Sequence, residues 1–233
     1  TVSIRRYPLM KGWRRVIICT VLEMTVLTRA PSGAATIRDL QRVKTILVFG
    51  DSLSDGFRLE RGQAYPALLT KKLSEAKLDF EVMNASASGG TTEGGLRRLP
   101  PHLKRKIDIL ILELGINDAF RGVPIAQIES NLQEIIDEVK KKNPDVRIIV
   151  AGMQLPDYAA DDYINAFGNM YAGLATKNHA ALIPYLLEGV GGSPVLNLPD
   201  RIHPNAAGHK VLAENVWRVL EPIAREVAGK VQR

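Results

Sequence analysis

Short apolar runs alternate with longer amphipathic stretches along most of the chain. Residues 45–49 form a β-branched and apolar run ending in Gly50, the pattern of a buried parallel strand. Residues 64–77 carry Leu68, Leu69 and Leu73 at helical spacing. Phe80–Asn84 is a second strand, and residues 91–105 a helix broken by Pro100-Pro101. Residues 107–112 form the most strongly patterned strand. Ile125–Lys142 follows as a helix with Ile128, Leu132, Ile135, Ile136 and Val139 on one face, stopped by Pro144. Arg147–Ala151 is the fourth strand, residues 166–178 a helix and Ala181–Ile183 a short fifth strand. Residues 205–227 form the closing helix, with Asn205 as N-cap, or His203 with Pro204 in the first turn.

Strands alternating with helices predict an α/β fold, a three-layer α/β/α sandwich around a central, mostly parallel five-stranded sheet. Right-handed crossovers place every strand's C-terminal end on one edge, where ligands gather. The loops that matter are therefore residues 50–55, 85–92, 113–118 and 152–157, and the stretch before the last helix.

Composition is that of a globular chain: 233 residues, 45% hydrophobic and 24% charged. The net charge of +6 suggests nucleic acid until it is divided along the sequence. Residues 1–44 hold 9 Lys/Arg against 2 Asp/Glu, a net of +7, and the rest 22 against 23, a net of −1. The basic excess belongs to the N-terminal segment, and no nucleic-acid partner is expected. Lys104-Arg105-Lys106 and Lys140-Lys141-Lys142 sit near helix ends, where the dipole favours cations. The single cysteine, Cys19, excludes disulfides and a thiol nucleophile from the remaining chain.

The N-terminal segment reads as an address. Met10-Lys11-Gly12-Trp13-Arg14-Arg15 is basic, residues 16–27 are apolar apart from Glu23, and Ser32-Gly33-Ala34 are small. That is a secretory signal with a start near Met10, too short to span a membrane as a mature helix. The alternative is an uncleaved amphipathic extension and a cytoplasmic protein. The expected division is an extension over residues 1–34 and a single domain over residues 35–233, exported to the periplasm or beyond.

The strand-end loops carry candidate chemistry. In Gly50-Asp51-Ser52-Leu53-Ser54 a serine at a strand-to-helix turn projects its hydroxyl into the crevice. Ser86-Ala87-Ser88-Gly89-Gly90 offers free backbone N–H groups. Asn117 in Gly115-Ile116-Asn117-Asp118 brings a carboxamide donor to the third loop. In Asp200-Arg201-Ile202-His203 an acid three residues before a histidine can hold its Nδ1 proton and aim Nε2 at a serine. Taken singly, each is also an ordinary turn or helix cap. His102, His179 and His209 have no such acid in a strand-end loop, and His209 reads as structural or solvated. A Walker loop, GxGxxG, G-x-S-x-G and clustered metal ligands are all missing.

All four blocks in this order make the sequence similar to the SGNH (GDSL) hydrolase superfamily. It resembles more narrowly the bacterial multifunctional thioesterase/arylesterase/lysophospholipase group. That closer likeness rests on Asn84-Ala85-Ser86-Ala87-Ser88-Gly89, Glu113-Leu114-Gly115, Ile202-His203-Pro204-Asn205 and Tyr65-Pro66-Ala67-Leu68-Leu69, and it covers about residues 44–228. The resemblance implies a flavodoxin-like SGNH fold and serine ester hydrolysis without metal or cofactor. It implies Ser52 as nucleophile, His203 as general base and then acid, and Asp200 as the residue orienting His203. The Ser52 and Gly89 N–H groups and the Asn117 side chain would form the oxyanion hole. Gly152, Met153, Gln154, Leu155 and Pro156 would line the substrate crevice, while Asp51 and Asp118 act as scaffolding. Gly90 stands where relatives often carry Asp. The implied partner is a small acyl ester or thioester. A carbohydrate O-acetyl esterase and an inactive binding module use the same fold and remain the alternatives.

Overall fold

The computed structural model describes residues 42–156 and 160–229. The expected signal segment lies outside the described residues. Five strands form one sheet in the order β2-β1-β3-β4-β5: β1 Lys44–Gly50, β2 Phe80–Asn84, β3 Ile109–Glu113, β4 Arg147–Ala151 and β5 Ala181–Ile183. All four pairings are parallel, with Ile46 opposite Val82 on one side and Ile109 on the other. The backbone groups of β1, β3 and β4 are paired on both sides. Their side chains bury on both faces, which explains continuous apolar runs such as Ile46-Leu47-Val48-Phe49 instead of alternation.

Among the described residues the helices are α1 Ser52–Asp55, α2 Tyr65–Glu75, α3 Thr92–Arg98, α4 Ile116–Phe120, α5 Ile125–Lys142, α6 Asp161–Asn178 and α7 Ala206–Val227. The chain moves from β1 to β2 in one direction and from β2 onward in the other. Right-handed crossovers then put α2 and α7 on one face and α3, α5 and α6 on the other. The packing agrees: α2 meets α7 and β2, while α5 meets α3 and α6. The apolar face expected of α5 is wholly buried, from Ile128 to Val139. The reversal of direction lies between β1 and β3, so the crevice opens at their C-terminal ends.

Two differences from the sequence pattern have local causes. Helix α6 begins at Asp161, earlier than the apolar periodicity suggests, and carries Asp161 and Asp162 in its first turn, where acids suit the dipole. Strand β3 starts at Ile109, and side chains from neighbouring segments tie down the residues before it. The Ile107 N–H donates to Asn143 Oδ1 at 2.8 Å, and the Asp108 carboxylate accepts from Thr45 N–H at 2.7 Å.

His209, in α7, is structural. It is 1% exposed, and its Nδ1 accepts the Tyr65 N–H at 3.0 Å, pinning the start of α2 to α7. Burial pushes this imidazole down to about 4. The unfolded chain takes up a proton at His209 below about pH 6.5, while the fold resists until about pH 4. Stability should therefore rise between those values, by up to about 3 kcal/mol from this residue. Urea midpoints at pH 4.5 and 7 should differ more for the wild type than for His209→Gln; equal differences would remove the group from the pH response.

Candidate active site

Ser52 opens α1 directly after β1. Asp51 caps that turn, its Oδ1 accepting Leu53 N–H at 3.0 Å. The first-turn N–H groups of a helix have no intrahelical acceptor, so that of Ser52 is available to a ligand. His203 sits 151 residues further on, yet its Nε2 lies 3.0 Å from Ser52 Oγ. Its Nδ1 is 2.8 Å from Asp200 Oδ2. A carboxylate only accepts, so Nδ1 carries the proton and Nε2 is left to accept from the serine.

A second set of contacts holds Asp200 in place. Its Oδ1 accepts from the N–H groups of both Ile202 and His203 at 3.0 Å. Burial alone would raise its pKa, but these bonds and the one from the imidazole outweigh it and hold the group at about 2. The loop is clamped from outside. His203 O accepts Leu198 N–H at 2.7 Å, Asn205 N–H reaches Leu196 O at 2.9 Å, and Asn205 Oδ1 caps α7. Between the clamps Arg201 takes the left-handed conformation, φ 59°.

The other loops converge on the same place. Gly89 has φ 74°, a conformation free of strain only for glycine, and open space where a Cβ would stand. Asn117 Nδ2 donates to Asp51 Oδ2 at 2.9 Å and to Gly90 O at 3.1 Å. Ser52, Gly89, Asn117, Asp200 and His203 thus all stand at one edge of the sheet. The stretch of residues 152–156 divides. Gly152 joins β4 to the segment after β5 through bonds with Ile183 O and Leu186 N–H, and Met153 and Leu155 are buried. Gln154 and Pro156 face outward.

Beneath the serine lies a buried acidic pair that the sequence did not disclose. Glu113, at the end of β3, accepts Asp51 N–H at 3.1 Å and Ser54 Oγ–H at 2.7 Å through Oε2. Ser54 Oγ also meets Tyr65 Oη at 2.7 Å. Burial drives the Glu113 pKa far up, and the charge on Asp51 adds to it. Asp51 is itself raised to about 7 by burial, against the lowering bonds from Leu53 and Asn117. Burial thus pushes both carboxyls of the pair toward their neutral forms. Arg98 spans the same region, bonding Ala85 O and Gly50 O, with its guanidinium 3.8 Å above the Phe49 ring. A charged residue ending the otherwise apolar β3 was the one signal that could have marked Glu113.

Three more residues at this edge went unnoticed in the sequence. The Phe57 ring packs against the His203 ring, centroids 4.4 Å apart, and Arg58 lies 5.0 Å above Phe57. Arg121 Nη2 donates to Gly89 O at 3.3 Å. Asp118 behaves as scaffolding, accepting both Thr92 N–H at 2.9 Å and Thr92 Oγ1–H at 2.7 Å. Among the described residues no group of His, Cys, Asp and Glu could hold a metal ion.

Comparison with known proteins gives a consistent picture. Esterase TesA of Pseudomonas aeruginosa is 40% identical over 181 residues, which is 77% of this chain and 89% of that protein. Thioesterase 1/protease 1/lysophospholipase L1 of Escherichia coli K12 is 36% identical over 180 residues, 77% of this chain and 84% of that one. A crystal structure of TesA matches with a TM-score of 0.74 at 40% identity, covering 77% of this chain and 99% of the other. Residues 48–211 match the GDSL-like lipase/acylhydrolase family. That span reaches from β1 into α7 and takes in every loop described above, and the chain therefore belongs to the GDSL-like lipase/acylhydrolase family.

Proposed function

We propose that this protein is a serine carboxylic ester hydrolase acting on aryl esters, acyl thioesters and lysophospholipid-type esters. The observation that carries the reading is the 3.0 Å contact between His203 Nε2 and Ser52 Oγ, with Asp200 behind the imidazole. His203 takes the proton as Ser52 Oγ attacks the acyl carbon, then delivers it to the leaving oxygen or sulfur. Water repeats the sequence on the acyl-enzyme and releases the acid. Asp200, held near 2, stays anionic throughout and stabilises the imidazolium.

The oxyanion meets the N–H groups of Ser52 and Gly89 and the Asn117 carboxamide. One Asn117 hydrogen is committed to Asp51, and the other rests on Gly90 O at the longer distance of 3.1 Å. In this reading the second hydrogen exchanges Gly90 O for the oxyanion, whose negative charge makes it the stronger acceptor. The outward-facing Gln154 and Pro156 wall the acyl side. Names of relatives such as the arylesterase of Vibrio mimicus and the thioesterase/lysophospholipase of Escherichia coli support the substrate range. Export follows from the pattern of residues 10–34. Among the described residues no helix is long and apolar enough to cross a membrane.

A fluorophosphonate probe should label Ser52 stoichiometrically and leave Ser52→Ala unlabelled, as read by peptide mass spectrometry. A folded protein that takes no label would defeat the serine mechanism. Asn117→Ala should lower kcat roughly 100–1000-fold with little change in KM. The profile of kcat/KM should rise once, as the imidazole loses its proton, because Asp200 is already ionised above about pH 2. A profile flat from acid to alkali would remove His203 from the role of base.

A further inference from the structure

The large apolar side chains left exposed are unevenly placed. Among the described residues they are Val43, Phe120, Val195 and Ile202. Three belong to the loops of the catalytic edge. Phe120 is 49% exposed and follows Asn117 by three residues; Ile202 is 54% exposed and precedes His203. Val195 is 76% exposed, and its carbonyl is tied to Asn205 at 2.8 Å. Isolated exposed apolar residues are ordinary, but their recurrence at the end of α4 and in the connection from β5 to α7 needs a cause.

Arginines sit beside apolar side chains at three places on this edge, although the Val195 turn has none and Phe57 is half-buried against His203. The pairs are Phe57-Arg58 after the Ser52 turn, Phe120-Arg121 after Asn117, and Arg201-Ile202 beside His203. All three arginines are exposed, and no carboxylate pairs with any of them among the described residues. Two of the nearby acids are engaged. Asp55 accepts from Ser88 Oγ–H at 2.6 Å, and Asp200 is occupied by His203. Arg58 and Arg201 are, moreover, held in the left-handed conformation, each with φ 59°. Unpaired cations beside exposed apolar side chains are what an anionic lipid surface recognises: the apolar groups enter the acyl boundary and the guanidiniums meet the phosphates.

We propose that the catalytic edge docks onto anionic phospholipid surfaces, presenting Ser52 to esters that lie in the interface. This rests on Ser52 as the site of ester cleavage. Turnover and docking are measured separately, so either can fail alone. A second cationic region surrounds a cavity of about 580 Å³ at the opposite sheet edge, lined by Lys44, Lys104, Lys142 and Arg147 together with Asp108, Asp145 and Glu226. Substitutions confined to the catalytic edge tell the two faces apart.

The full chain is sedimented with vesicles of phosphatidylcholine alone and of phosphatidylcholine mixed with phosphatidylglycerol. Two variants are compared with it. Arg58→Asn removes a charge outside the Asp200–His203 turn, asparagine tolerating the left-handed conformation. Phe120→Ser with Val195→Ser removes apolar contacts outside that turn. All three proteins keep residues 1–41, so differences arise at the edge. The wild type should bind the mixed vesicles and release from them in high salt. The charge variant should bind roughly 5-fold more weakly at low salt. The apolar variant should also bind less. Both should hydrolyse a soluble short-chain aryl ester within about twofold of wild type. Wild type that ignores the mixed vesicles, or variants that bind as wild type does, would overturn the proposal. So would an equal loss on the soluble ester, which would make the arginines readers of single substrate molecules. A chain that docks but cleaves no ester would instead defeat the hydrolase reading.

Discussion

The arrangement at the catalytic edge depends on a carboxyl group that water never reaches. Glu113 ends β3 fully buried, and its Oε2 receives both the Asp51 N–H and the Ser54 hydroxyl. Those two bonds fix the residues on either side of Ser52. Asp51 in turn orients the Asn117 amide, so Ser52 and Asn117, the proposed nucleophile and oxyanion donor, rest on one buried network. A lone buried charge is costly; burial pushes Glu113 toward its neutral form, and Arg98 lies close by. Gly50 is required here for space. A Cβ on it would stand 2.5 Å from Glu113 Oε2, closer than any real contact allows.

The sheet supplies reach and the loops supply aim. Parallel strands deliver the residues after β1 and β3 to one edge, where the chain reverses direction across β1. The Asp200–His203 pair comes from no strand end. It is set by an antiparallel bridge between Asn197 and Pro204 and by the Asn205 cap of α7. A locally rigid turn thus meets a rigid sheet edge, and the imidazole gains the Phe57 ring as a wall.

Much of this was legible in the sequence because it is written locally. The bounds of β2, α5, β4 and β5 follow from apolar period and from stops such as Pro144. Ser52, Gly89, Asn117, Asp200 and His203 stand in short motifs whose order carries the family resemblance, and that resemblance implies their roles. What stayed hidden is tertiary. Glu113 pairs with a turn 59 to 62 residues away, and His209 with a backbone N–H 144 residues away. Neither leaves a periodic trace, and burial decides the properties of both. Met153 and Leu155, placed in the crevice by the family resemblance alone, are buried, which no sequence pattern announces.

The hydrogen bond between His203 and Ser52 joins residues 151 positions apart. This separation has a meaning in time as well as in space. During synthesis the serine and its buried supports emerge long before the histidine, and α7, which seats the histidine, is the last helix described. In the proposed mechanism a nascent chain is therefore inert until the segment around His203 has been made and folded onto the sheet edge. Within a cell full of lipid esters, that order keeps an activated serine from existing on any incomplete copy of the protein.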